Sequence, residues 1–303
     1  MIIAFGEILF DVFPEYKRLG GAPFNFAYHL KRLGWPVRFL SRVGDDAHGR
    51  EIIQYVRRYG LDPADIQVDP DHPTGYVSVS LKAEGVPEFN IVPNVAYDHI
   101  EITGSMPDFR QNPPDLFYFG TLAQRYQTSA ETIQRIFEQK DRSTTFFYDV
   151  NLRPDCYTWS TIETSLRHTD ILKLNEEELT ALRDMSGLSE TVPAFIDYLI
   201  AEYELTLLAL TRGSSGSALY TPTSVLETGA DVPKNNVDTV GAGDAFAAVL
   251  ASGYLSGRPL RQTLEAASAF AADICTIAGA IPEDPDFYNQ TRNRLQSTRS
   301  DNH

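Results

Sequence analysis

Short apolar runs recur along this chain, and most are followed by a stretch with helical periodicity. Residues 2–5 are wholly apolar and stop at Gly6, the pattern of a strand buried on both faces. Similar runs at 37–43, 115–119, 144–149, 170–174 and 205–211 predict further strands. Helices are predicted over 50–59 and 128–139, and another opens at Asn175. Between the first two strands, Ala27, Leu30 and Leu33 form an apolar stripe beside Asn25, Tyr28, His29 and Arg32. Pro23 suits the first turn of that helix and Gly34 its stop. His29 reads as a surface or internally satisfied histidine without a role. Strands alternating with helices in this way predict a parallel, doubly wound α/β sheet.

Residues 61–68 read as a connector and short strand that still keep this rhythm, which then breaks. Residues 74–81 then alternate with a period of two, Glu84 and Gly85 make a turn, and 88–92 return. This predicts an antiparallel hairpin inserted into the α/β chain, lying over a site as a lid, against a second copy, or both. Residues 217–220 and 225–227 predict an antiparallel edge. Near the end, small and apolar residues from 245 to 255 predict a helix. A long Ala-rich helix follows over 260–278, stopped by Gly279 and Ala280. The chain from Glu283 onward is polar and reads as peripheral. With no repeat and no linker, residues 1–303 read as one domain.

Composition narrows the function. The formal net charge is −15, which argues against nucleic-acid and anionic-membrane surfaces. The same charge means that an anionic substrate needs a local positive device. Cys156 and Cys275 are the only cysteines and lie far apart, so they suggest neither a disulfide framework nor a metal site. Residues 1–7 have no basic leader and meet an acid early, as a first strand does. No apolar run reaches membrane-spanning length, and a reducing cytoplasm is the expected compartment.

The chemistry gathers at Asp238-Thr-Val-Gly241-Ala-Gly243-Asp244. Gly241, Ala242 and Gly243 precede a helix, so their N–H groups and its dipole form an anion site. Asp244 is expected near the N-cap, with an ordinary carboxylate pKa of about 4. Beside an anion site, a carboxylate makes sense as a base that takes a proton from an attacking nucleophile. The alternative is an ordinary capped turn before a buried helix. Asp149, Asn151 and Arg153 sit at the carboxyl end of a strand, where doubly wound sheets bind ligands. Arg153 is the candidate cation for phosphate or sugar. Asn175 and Glu178 have capping-box spacing, yet three adjacent acids there equally suit a hydrated divalent cation. Thr211, Gly213 and Gly216 form a loose turn that lies against a nucleotide phosphate or simply closes a hairpin. Asp11 is either an exposed edge residue or a ligand contact.

In this order the motifs resemble the ribokinase-like (PfkB) carbohydrate kinases over nearly the whole chain. Gly20-Gly21, Asn25, Ala27 and Leu33-Gly34 match the N-terminal signature, and Asp238 to Phe246 the C-terminal one. The resemblance implies a three-layer α/β/α sandwich with a small β lid, formed by about residues 9–20 and 74–101. It implies transfer of the ATP γ-phosphoryl group to a sugar hydroxyl, with Mg²⁺, while the two-faced hairpin itself suggests a homodimer through the lid. Asp244 would be the base, with Gly241, Ala242 and Gly243 as the anion hole and Arg153 nearby. Asp11, Gly20, Gly21 and Asn25 would contact sugar. Asn175, Thr211, Gly213 and Gly216 would line the nucleotide, and Glu178 would hold Mg²⁺ through water. A monovalent cation such as K⁺ would sit near Asp238 and Val240. Gly-Gly-Ala-Pro, Gly6-Glu7…Asp11 and Asp-x-Asn-Leu-Arg are most similar to fructokinases, and ketodeoxygluconate kinases share the arginine segment. Ribokinases and nucleoside kinases are further relatives, and a sugar sensor on the same fold is the non-enzymatic alternative. Phe24 departs from the small residue usual there and is expected to narrow the sugar pocket.

Overall fold

The computed structural model describes residues 1–81, 87–103, 108–229 and 237–296. Its strands in chain order are β1 (Ile2–Phe5), β2 (Leu9–Val12), β3 (Lys17–Gly20), β4 (Val37–Gly44), β5 (Ile66–Asp69), β6 (Tyr76–Leu81) and β7 (Pro87–Ile91). They continue as β8 (Leu116–Gly120), β9 (Thr145–Asp149), β10 (Ile171–Asn175), β11 (Leu207–Thr211), β12 (Ser217–Thr221) and β13 (Ser224–Thr228). The helices are α1 (Ala22–Arg32), α2 (Ala47–Arg58), α3 (Gln127–Phe137), α4 (Trp159–Leu166), α5 (Glu176–Ser186), α6 (Val192–Glu202), α7 (Ala242–Leu255), α8 (Leu260–Ile274) and α9 (Asn289–Gln296).

Among the described residues, nine strands form one sheet in the order β13-β12-β11-β10-β9-β8-β1-β4-β5. All its pairings are parallel except the two at the β12–β13 edge. The wholly apolar strands explain the layering. Ile2 and Ala4 of β1 point into a core shared with α1, α2, α7 and α8. Ile3 and Phe5 point into a second core shared with α3, α5 and α6. A strand buried on both faces needs helices on both sides, hence three layers.

A second, four-stranded sheet has the order β3-β2-β6-β7. The hairpin expected from the two-residue period is β6–β7, antiparallel from Val77↔Ile91 to Leu81↔Pro87. The expected turn at Glu84 and Gly85 lies outside the described residues. β2 joins this hairpin in parallel through β6.

Several sequence expectations need correction. The helix expected over 260–278 ends at Ile274, and the next residues turn back, with Val237 and Asp238 donating N–H bonds to the Cys275 carbonyl. The chain after Glu283 is not peripheral, because Tyr288 is fully buried in the first core. It meets His29, whose Nδ1 lies 2.8 Å from the Tyr288 hydroxyl. His29 is therefore internal, and burial pushes its pKa down to about 3. Phe24 does not narrow a pocket. It is fully buried and packs against Phe39, Tyr28 and Tyr59, because helix α1 turns that side chain toward the core.

Candidate active site

A cleft of about 1240 Å³ opens at the carboxyl ends of the main sheet, and the second sheet forms part of its wall. Every residue to which the resemblance gave a role lines it, whereas Asp149, placed by the sequence at a strand's ligand-binding end, is fully buried and does not. Asp11, Gly20, Gly21 and Asn25 come from β2, β3 and the head of α1. Arg153 follows β9, Asn175 ends β10, Glu178 lies in the first turn of α5, and Thr211, Gly213 and Gly216 follow or end β11. Asp238, Val240, Gly241, Ala242, Gly243 and Asp244 complete it.

The 238–244 turn is held from below. Asp238 Oδ1 accepts the Val240 N–H at 3.1 Å, and Oδ2 accepts the Gly279 N–H and Arg18 Nη1, both at 3.1 Å. Gly241 has φ 79°, in the left-handed region. A Cβ there would fall 2.2 Å from the Ala280 Cβ, so the close approach also demands glycine. Helix α7 starts at Ala242 with Gly241 as its cap, which puts Asp244 third in the helix, near the N-cap as expected. Its Oδ2 accepts Asn25 Nδ2 at 2.8 Å. Burial, reinforced by the Asp149 charge, pushes the Asp244 pKa up to about 6, against Lys173 and the Asn25 bond. The ordinary value of about 4 expected from sequence is thus corrected, because the side chain is desolvated.

Lys173 was not nominated, although it lines the cleft. Its Nζ lies 2.9 and 3.0 Å from the Asp149 oxygens, and Tyr118 donates to the same carboxylate at 3.0 Å. Nζ also sits 3.1 Å from where a Cβ on Gly243 would stand. Burial opposes the charge, but Asp149, Glu178 and Asp244 outweigh it and hold the lysine above its ordinary pKa. The available signal was a lysine inside an apolar strand; its pairing in register with the aspartate that ends the parallel neighbour appears only in the fold.

At β10 and α5 the capping box is realised. Glu178 donates its N–H to Asn175 Oδ1, and Glu178 Oε2 accepts the Asn175 N–H, both at 2.8 Å. Glu178 Oε1 accepts the Leu152 N–H at 3.0 Å. Burial raises its pKa, with Lys173 opposing. Among the described residues no group of three or more His, Cys, Asp or Glu is placed to hold a metal. Asp11 is not an exposed edge residue. Burial pushes its pKa up to about 6 against the charges of Arg153 and Arg18. Arg153 is exposed, and its Nη1 donates to the Leu152 carbonyl at 3.1 Å. The Gly213–Gly216 turn does close a hairpin, with the Arg212 N–H donating to the Gly216 carbonyl at 2.8 Å, while still facing the cleft.

Residues 12–286 match the model of the pfkB family carbohydrate kinases. The chain belongs to that family. It is 30% identical over 275 residues to a sugar kinase of Pyrococcus horikoshii, covering 84% of this chain and 83% of the relative. A crystal structure of that organism's sugar kinase in complex with ATP superposes with a TM-score of 0.82 at 27% identity, over 97% of this chain and 100% of the other. The fructokinase of Salmonella typhimurium is 28% identical over 306 residues, 95% of this chain and 97% of its own. A 5-dehydro-2-deoxygluconokinase of Geobacillus thermodenitrificans is 27% identical over 266 residues, 84% and 78% of the two chains. As a member of this family the chain is a carbohydrate kinase by descent and fold, and the cleft is where such chemistry fits.

Proposed function

We propose that this chain transfers the γ-phosphoryl group of ATP to a hydroxyl of fructose, with Asp244 as the base. The observation that carries the reading is Asp244 itself. It is a desolvated carboxylate, oriented by Asn25, in the first turn of a helix whose N-terminus opens into the cleft. Identity near 28% to a fructokinase supports the choice of acceptor.

Phosphoryl transfer has a loose transition state, so positioning and charge stabilisation do most of the work. In this reading Asp244 accepts the hydroxyl proton late, as the oxygen bonds to phosphorus. Gly241, Ala242 and Gly243 present N–H groups to the phosphoryl oxygens, and Arg153 reaches them from across the cleft. Asp11, Gly20, Gly21 and Asn25 form the sugar side. Asn175, Thr211, Gly213 and Gly216 form the nucleotide side. The second sheet acts as a lid that excludes water. Through that lid the chain forms a homodimer, which light scattering checks.

Glu178 lines the cleft and each of its oxygens accepts only one backbone N–H, so it keeps acceptor capacity for the waters through which Mg²⁺ is usually held beside substrate phosphates. When bound, that ion neutralises phosphate charge. A monovalent cation such as K⁺ would be held by the backbone from Asp238 to Val240, which the Asp238 carboxylate braces by accepting the Val240 and Gly279 N–H groups and Arg18.

A screen of fructose, 2-keto-3-deoxygluconate, ribose and nucleosides with ATP, read by ADP release, tests the function. Fructose is expected to give the highest kcat/KM. A different preferred acceptor moves the assignment within the family, and sugar binding without any ADP supports a sensor instead. Asp244 must be ionised to act, so a pKa near 6 predicts that kcat/KM falls as pH drops through about 6. A limb near pH 4 would mean that the working carboxylate is solvated. Arg153→Ala is expected to lower kcat/KM by about 10–100-fold, the worth of a hydrogen bond to a charged group. Its Tm should stay unchanged because the side chain is exposed. An unaltered kcat/KM would leave Arg153 as a solvated surface residue.

A further inference from the structure

Glu7 follows β1 and lines the cleft, yet none of the roles above uses it. Two tight contacts set its place. A Cβ on Gly21 would stand 2.5 Å from the Glu7 carbonyl oxygen, and one on Gly6 would stand 2.6 Å from Pro23 Cγ. The glycines therefore let the end of β1 lie directly against the head of α1. The side chain is only 4% exposed. Its own N–H and that of Ala22 face the carboxyl. Even so, Oε2 has no hydrogen-bond partner.

A buried carboxyl oxygen without a partner is costly and uncommon in a stable fold. At the wall of a ligand cleft, a ligand is the natural partner. Asn25, near the start of α1, repeats the arrangement. Its Nδ2 holds Asp244, its Oδ1 is buried without a partner, and it lines the same cleft. Glu7 also lies close enough to Asp244 and Arg153 for their charges to act on it.

We infer that Glu7 is a specificity-determining sugar contact, its free Oε2 taking a hydroxyl of the acceptor beside the one that Asp244 deprotonates. The inference rests on the kinase reading for the identity of the ligand. Burial pushes the Glu7 pKa up to about 7, so near neutrality the group is available in both protonation forms. It can then donate to a sugar oxygen as well as accept from a hydroxyl. Such a group selects for a hydroxyl at one position, because an acceptor lacking it would leave Oε2 buried and unpaired.

The test is calorimetric binding of sugar and, separately, of ATP to wild type, Glu7→Gln and Glu7→Ala. The sugar is the best acceptor of the screen, or fructose if none turns over. Glu7→Ala is expected to weaken sugar binding by about 10–100-fold, as for a hydrogen bond to a charged group. Glu7→Gln, which keeps the shape, should lose several-fold. ATP affinity should not change in either. A monodeoxy series of the same sugar locates the contact: one deoxy sugar should bind wild type at least tenfold more weakly than its parent, and Glu7→Ala about equally well. Sugar affinity within twofold of wild type in both variants overturns the inference. So does a parallel loss for sugar and ATP with a lowered Tm, which marks a structural role. Absence of ADP release from wild type defeats the kinase reading, while the binding comparison still decides Glu7. Absence of any sugar binding by wild type defeats both.

Discussion

Asp244→Ala is expected to lose roughly 10²–10⁴-fold in kcat while ATP affinity stays near wild type, the usual worth of a positioned general base. The carboxylate is held by one hydrogen bond from Asn25 and faces the cleft, so its removal takes away the proton acceptor without dismantling the turn. Stability gives an independent check. The folded pKa is about 6, against 3.8 for the unconstrained group, so the fold prefers the neutral acid. The stability this contributes is present below pH 3.8 and is lost as pH rises through about 6. Asp244→Asn removes the buried charge, and its Tm should therefore exceed that of wild type at pH 8 by more than at pH 5. Full turnover by Asp244→Ala would remove this residue from the mechanism.

Gly241→Ala should lower kcat by about 10²–10³-fold, comparable to the loss of an oxyanion-hole donor. Two costs coincide at this position. An alanine is strained at φ 79°. Its Cβ would also stand 2.2 Å from the Ala280 Cβ and 2.7 Å from the Ala280 Cα, and backbone cannot swing aside. The turn must shift, and the N–H groups with it, so Tm should fall as well. Gly243→Ala separates the two effects. There the nearest atom is Lys173 Nζ at 3.1 Å, which need give only slightly, and no backbone atom is in the way, so stability should suffer less than in Gly241→Ala. If Gly241→Ala kept kcat within a few-fold of wild type, the turn would not be the anion site.

Much of the architecture was legible because it is written in local pattern. β1 is apolar throughout and is buried on both faces. The two-residue period of 74–81 marked β6, which lies in the second, four-stranded sheet. The glycine turn before α7 was legible, since glycine and a following helix are both local features. Three things were not legible. α4 and α6 have weaker signals than the strands around them. Phe24 looked like a pocket residue until α1 was seen to turn it onto Phe39. Tyr288 sits in a polar stretch, and only its packing against α1 and α8 buries it.

The sequence alone determined the layered α/β plan and the glycine turns that border the cleft, because apolar periodicity and glycine turns act over a few residues. Tertiary structure alone decided which groups touch. Asn25 holds Asp244 across 219 positions of chain. Lys173 meets Asp149 because two parallel strands run in register. Glu7 keeps an unpaired oxygen because α1 closes over the end of β1. Desolvation is a property of all the atoms around a group, so the raised pKa values of Glu7, Asp11 and Asp244 exist only once the chain has folded.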